Sequence, residues 1–193
     1  HLHVSPVNAR TKIVLLIKQE IQNAQKCIKA KITLKLNNLV DPQLIDELYK
    51  ASRAGVKVRA LVRGMCSLVP GIKGLSDNIY VISIVDRFLE HPRVMVYENA
   101  GDQRVIISSA DWMSRNMDER IEVGCPIYDK LLAGQIISIL ELQFKDTVKA
   151  RLIDVNQANK YVPRGNRKKI RSQVEIYNYL KALENKYETR NYS

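Results

Sequence analysis

The sequence predicts an α/β fold: a mixed sheet flanked by helices, with a helical, basic extension at the C-terminal end. Three observations carry that expectation. Residues 30–63 read as strand, helix, strand, and strands joined through a helical crossover pair in parallel. Residues 64–78 hold three glycines and a proline, too many for a core element and suited to an ordered loop at a strand end. Four short strand-like runs then precede a return of helical periodicity at Tyr128, so the sheet holds more than one parallel unit and is mixed.

Taken in order, Ser5-Pro6 has the form of an N-cap followed by proline at the first helical position. Val7, Ile13, Leu16, Ile17, Ile21 and Ala24 recur at helical spacing, which predicts a helix from about Pro6 to Lys26. Ala30 to Asn37 alternates apolar and polar residues like a half-buried strand. Asp41-Pro42 repeats the cap-plus-proline signal before a helix ending near Gly55, and Val56 to Arg63 forms the second strand. The later runs are Ile79 to Ile84, Arg93 to Tyr97, Arg104 to Ser108 and Arg120 to Gly124, followed by a helix over Tyr128 to Lys145. Beyond Asp146 the pattern is irregular until a final amphipathic helix from about Arg167 to Lys186.

A chain of 193 residues with 46% hydrophobic content is long enough for one substantial core and a smaller appended element. We expect a main domain over 1–148 and a basic extension over 149–193. Three cysteines, Cys27, Cys66 and Cys125, are odd in number and too widely spaced for a disulfide framework or a zinc cluster, which suits reduced thiols in a cytosolic setting. No apolar run approaches the roughly 20 residues that cross a bilayer, and the first residues lack the charge and apolar stretch of a signal peptide. The absence of an initiating Met fits a fragment. The net charge of +11 implies a polyanionic partner: nucleic acid, an anionic membrane surface or a phosphate-rich substrate. About +7 of it lies after residue 148, where eleven Lys or Arg face four Asp or Glu. Peripheral attachment to a membrane is compatible with that distribution.

Chemistry concentrates in His91-Pro92-Arg93-Val94-Met95-Val96-Tyr97-Glu98 and in Ser108-Ser109-Ala110-Asp111-Trp112. Strand alternation puts Arg93, Met95 and Tyr97 on one face and Val94 and Val96 on the other, with His91 at the strand's entry. An imidazole beside a fixed guanidinium suits attack on phosphorus or proton transfer to a leaving phosphate, because the cation offsets charge building on the phosphoryl oxygens. Arginine also recognises phosphate in a bidentate manner. The only histidines are His1, His3 and His91, so histidine chemistry falls on His91. Trp112 reads as a core residue rather than a base-stacking platform. Arg164, Arg167, Lys168, Lys169 and Arg171 form a basic cluster that either contacts a polyanion or is a solvated face.

The two quoted segments resemble the phospholipase D superfamily pattern, H-x-K-x4-D followed by a G-S-x-N turn. Four positions depart from it: Arg93 for lysine, Glu98 for aspartate, Ser108 for glycine and Asp111 for asparagine. The pattern implies a second histidine from a sister domain or another subunit. A closer resemblance covers essentially the whole chain. Lys35 to Asp41 (KLNNLVD), Leu48 to Val56 (LYKASRAGV), Leu61 to Gly71 (LVRGMCSLVPG), Ser83 to His91 (SIVDRFLEH), Ser109 to Asn116 (SADWMSRN) and Tyr161 to Asn166 (YVPRGN) are similar to the polyphosphate kinase C-terminal domain family.

That resemblance implies a phospholipase D-like fold and reversible transfer of the ATP terminal phosphate to inorganic polyphosphate, through a phosphohistidine in a preceding domain. It implies that His91, of the F-L-E-H motif, is catalytic and lies in the ATP site, and that Arg63, of the V-R-G motif, contacts ATP phosphate. Arg63 also ends a strand before a glycine-containing loop, where open α/β sheets bind ligands. From its place beside His91, Arg93 is expected to be a further phosphate contact. Arg120 and Glu122 alternate onto one face of a strand and match family positions near the pocket, with an ordinary ion pair as the alternative. Magnesium is expected for the full enzyme, with no metal ligand in this chain. The partners implied are ATP and ADP, polyphosphate, the N-terminal and sister catalytic domains, and further copies in a homo-oligomer, with no nucleic acid. The chain alone is expected to be inactive. The competing readings are a phospholipase D-like phosphodiesterase or nuclease, and an inert polyanion-binding module.

Overall fold

The computed structural model describes residues 2–191. One sheet holds eight strands: β1 (His3–Ser5), β2 (Lys31–Leu36), β3 (Lys57–Val62), β4 (Ile79–Ile84), β5 (Arg93–Tyr97), β6 (Arg104–Ser108), β7 (Glu122–Ile127) and β8 (Ala150–Ile153). Their spatial order is β1-β7-β6-β5-β2-β3-β4-β8. β2, β3 and β4 are parallel and the other pairings are antiparallel, so the mixed α/β sheet expected from the sequence is present.

Helices lie on both faces. On one, α1 (Ala9–Gln25) and α2 (Pro42–Arg53) bury Ile13, Ile17, Leu44 and Leu48 against Ile32, Leu34, Val58, Met95 and Tyr97. On the other, α4 (Lys130–Phe144) buries Ala133 and Leu140 against Leu61, Ile82, Val94, Val96 and Val105. The split of β5 between the two cores matches its alternation. A fully buried Ile or Leu contributes about 1.5–3 kcal/mol, so each face is secured by several such side chains. The remaining α-helices among the described residues are the short α3 (Ser114–Asp118) and the terminal α5 (Ser172–Asn191).

α2 follows its sequence signals closely. The Asp41 carboxylate accepts from Leu44 N at 2.9 Å, Pro42 opens the helix, and Gly55 ends it at φ +93°, a conformation that glycine adopts without Cβ strain. Such a cap contributes about 1 kcal/mol.

Five local expectations are corrected. α1 starts at Ala9 rather than Pro6, because Ser5 is the last residue of β1, paired with Glu122, and Val7 is exposed in the turn that follows. β2 is not half-buried. It lies between β5 and β3 with helices over both faces, so Thr33 and Lys35 are buried along with its apolar residues. β7 starts at Glu122, leaving Arg120 in the preceding bend. The stretch after Asp146 contains β8, which pairs with β4 at the sheet edge. α5 starts at Ser172 rather than Arg167, because Thr147 N donates to Ile170 O and Ile170 N donates to Thr147 Oγ1, each at 2.9 Å, and these bonds hold the preceding segment out of a helix. Buried Asp146 ties the two ends of this region together. Its carboxylate accepts from the N–H groups of Val148, Lys149, Ala150 and Ser172.

Candidate functional site

β2 and β3 are parallel in register and end side by side at Leu36 and Val62. The chain beyond them is tied into a common floor, because Leu39 bridges both Cys66 and Trp112. Trp112 is fully buried, the core role expected of it. Ligands of open α/β sheets bind beyond the carboxyl ends of such strands.

Arg63 leaves β3 at this end. Its Nη2 donates to Asn37 Oδ1 at 2.5 Å and stands 3.5 Å from His91 Nδ1. Its Nε is buried and has no acceptor among the described residues, so the guanidinium retains donor capacity. Gly64 makes the arrangement possible. A Cβ there would lie 2.7 Å from Asn38 Oδ1 and 2.9 Å from the Asn37 carbonyl, so only glycine lets the loop pass over Asn37 and Asn38. The V-R-G motif is thus a cation followed by the one residue that fits behind it.

His91 is exposed on the loop between β4 and β5. Arg93 anchors its backbone, with Nη1 donating to the His91 carbonyl at 3.1 Å. The rest of the Arg93 contact goes to Asp111: Nε to Oδ1 at 3.2 Å and Nη2 to Oδ2 at 3.0 Å. Asp111 is 3% exposed and also accepts from Asn37 N at 2.8 Å and Asn38 N at 3.0 Å. Burial alone would push this carboxyl up, but Arg93 and the two backbone N–H groups outweigh it and hold the group below the usual carboxylate range. Two of the four departures from the phospholipase D pattern, Arg93 and Asp111, are therefore partners of one another. Glu98, a third, sits beyond the far end of β5, where it is buried and paired with Lys29 and Gln103.

His91, Arg63 and Arg93 are thus brought together, whereas Arg120 and Glu122 are not joined to them by any hydrogen bond or ion pair among the described residues. Arg120 is exposed in the bend before β7. Glu122, two strands from β5, accepts from Ser109 Oγ and from Asn116 Nδ2 at 2.6 Å. In the basic cluster, Arg171 is committed to Asp86 at 2.8 and 2.5 Å, while Arg164, Arg167, Lys168 and Lys169 are exposed.

Sequence reasoning missed the polar residues behind the site. Lys35 is 8% exposed and donates to Glu90 Oε2 at 2.6 Å. Glu90 also accepts from Gln143 Nε2 and, at 3.1 Å, from Gln173 Nε2. Alternation assigned Lys35 to a solvent face, and only the position of β2 in the sheet reveals otherwise. Glu90 was visible as the neighbour of His91 in the F-L-E-H motif.

No group of three or more His, Cys, Asp or Glu side chains among the described residues could hold a metal ion. Glu90, next to His91 in the chain, and Asp111, paired with Arg93 behind it, are each neutralised by a cation, so these two carboxylates do not fit a magnesium site. Among the described residues no helix is long and apolar enough to cross a membrane.

Comparison with known proteins adds a consistent set of relatives. The family described as polyphosphate kinase C-terminal domain 2 matches residues 2–173. A polyphosphate kinase of Vibrio vulnificus (strain YJ016) is 62% identical over 184 residues, covering 95% of this chain and 26% of that protein. The polyphosphate kinase of Escherichia coli (strain K12) is 56% identical over the same length, covering 27% of that protein. The chain therefore spans about a quarter of the length of these relatives. Among solved structures, the polyphosphate kinase from Porphyromonas gingivalis superposes with a TM-score of 0.93 at 43% identity, over 96% of this chain and 28% of that one. A phospholipase D family member, Nuc from Salmonella typhimurium, superposes with a TM-score of 0.59 at 15% identity, over 80% of this chain and 97% of that one, a likeness of fold.

Proposed function

Given that the chain belongs to the polyphosphate kinase C-terminal domain family, we propose that it supplies part of the active site of an ATP:polyphosphate phosphotransferase. The reaction is reversible transfer of the ATP terminal phosphate to the end of a polyphosphate chain. The bond from the γ-phosphorus to the bridging oxygen of ADP breaks and one to a histidine nitrogen forms. The phosphoryl group then passes to a polyphosphate oxygen. The phosphorylated histidine lies outside these 193 residues. His3 does not serve, since it is buried in β1, paired with Gly124.

The observation that carries this reading is the placement of His91 against Arg63 at the shared ends of β2 and β3. A guanidinium only donates, so an imidazole nitrogen facing it accepts, and the ring proton then sits on Nε2. Nε2–H of exposed His91 is the group that donates to a phosphoryl oxygen, and Arg63 offsets the charge that gathers there. Arg93 supports this site from behind, through the His91 carbonyl. Arg120 and Glu122 line the approach of the polyphosphate chain in the same proposal, together with the exposed basic cluster.

Magnesium is assigned to residues outside this chain, and no step here runs through it. The N-terminal and sister catalytic domains, further copies in a homo-oligomer and a cytosolic setting belong to the same proposal. A phosphodiesterase reading gains nothing from the site, where the residues at the lysine and asparagine positions neutralise each other. The test is His91→Ala in a full-length polyphosphate kinase carrying this domain. Polyphosphate synthesis is expected to be abolished with the thermal unfolding midpoint unchanged, and near-normal synthesis removes His91 from the mechanism.

A further inference from the structure

The loop that carries His91 has little apolar anchorage. Val85, Phe88 and Leu89 are all exposed, at 67%, 64% and 73%. Polar contacts hold it instead. Asp86 takes both Arg171 contacts, and the Gln173 amide brackets Phe88, accepting from its N–H at 3.0 Å and donating to its carbonyl at 2.9 Å. The residue adjoining His91 has the densest set. The Glu90 carboxylate accepts from Lys35 on β2, Gln143 on α4 and Gln173 at the start of α5.

Lys35 is the member that makes this set more than a loop anchor. Burial, with a contribution from Arg63, pushes its ammonium pKa down, and Glu90 is the group that opposes that shift. Arg63 therefore lies within the electrostatic reach of Lys35, and Glu90 is what lets two cations stand behind one site. Removing the carboxylate leaves a buried ammonium facing a guanidinium, and the relief available is movement of Arg63 or of the loop.

We propose that Glu90, neutralised by Lys35, is a positioning residue for phosphoryl transfer, fixing His91 against Arg63 while Gln143 and Gln173 clamp it from the helical side. The inference rests on the assignment of His91 and Arg63 to the reaction. Through Gln173 it gives the junction into α5 a part in the site.

The test uses a full-length polyphosphate kinase carrying this domain, with Glu90→Ala, Lys35→Met, the double variant and His91→Ala measured side by side for polyphosphate synthesis and thermal unfolding. Either single variant leaves a buried charge unpaired and is expected to lose both stability and activity. The double variant removes both charges and is expected to unfold near the parent midpoint, yet to keep kcat/KM at least about ten-fold down, because the geometry of the catalytic groups is lost. Recovery of stability and activity together in the double variant makes the pair purely structural and overturns the proposal, as does full activity in Glu90→Ala. Should the double variant fail to fold, Glu90→Gln, which keeps the shape but not the counter-charge of Lys35, gives the answer when assayed well below its own unfolding midpoint. A loss of kcat/KM there, with the protein fully folded, supports positioning, and parent-like activity overturns it. If His91→Ala is active, the functional reading fails, whatever the pair does.

Discussion

Converting Asp111 to asparagine tests the buried pair that underlies the site. The carboxylate has both oxygens engaged: Oδ1 accepts from Asn37 N, Asn38 N and Arg93 Nε, and Oδ2 from Arg93 Nη2 and Asn38 Nδ2. An asparagine keeps Oδ1 on the backbone but turns an NH2 toward two donors. Arg93, with its side chain 14% exposed, is left without its counter-charge. Removing one partner of a buried ion pair costs about 3–5 kcal/mol, and at a urea dependence of roughly 2 kcal/mol per molar the unfolding midpoint falls by about 1.5–2.5 M. The only tryptophan, Trp112, is buried next to Asp111 and reports the transition by fluorescence. Adding Arg93→Met removes the stranded cation, and the double variant is expected to return to within about 1 kcal/mol of the parent. A loss below about 1 kcal/mol in Asp111→Asn, or a double variant no more stable than the single one, refutes the argument that the pair acts as a unit.

Other expectations follow from the same geometry. Gly64→Ala places a methyl against Asn38 Oδ1 and the Asn37 carbonyl, so it is expected to cost about 1–3 kcal/mol in thermal stability and to lower full-enzyme activity by displacing Arg63 from Asn37. Asp41, Asp111 and Asp146 are all buried, which alone would push them up, but hydrogen bonds, with Arg10 at Asp41 and Arg93 at Asp111, hold each below its ordinary value. Their folded pKa values are lower than the unfolded ones, so the unfolded chain binds more protons just below pH 4, and stability rises with pH there. The contribution is complete above about pH 4 and is lost as pH falls through the folded values; urea unfolding across pH 3–6 reads it. Asp146→Asn is expected to flatten that acid limb and to cost about 1–3 kcal/mol at neutral pH, because its amide then faces Ser172 N–H. A parent-like slope in the variant means that Asp146 is not one of the groups responsible.

Much of this molecule is written locally. Pro42, the Asp41 cap and Gly55 set α2 by contacts within a few residues, and the alternation of Arg93 to Tyr97 assigns β5 to two cores, because backbone geometry alone fixes side-chain direction. The V-R-G and F-L-E-H motifs likewise name Arg63, Gly64, Glu90 and His91 before any fold is known. Tertiary structure decided what lies beside what. Ser5 became the end of a strand because β7 needed a partner, against a strong local helix signal. Lys35 went inside because β2 is central and covered on both faces, a fact of sheet order that no single strand encodes. The same distinction separates Arg93 from Arg63. Both look like phosphate ligands in sequence, but Asp111, eighteen residues away, neutralises Arg93, while the Arg63 side chain, among the described residues, hydrogen-bonds to a neutral amide and faces an imidazole. Chain spacing determines which residue types are available, and pairing across the sheet determines which charges remain free to act.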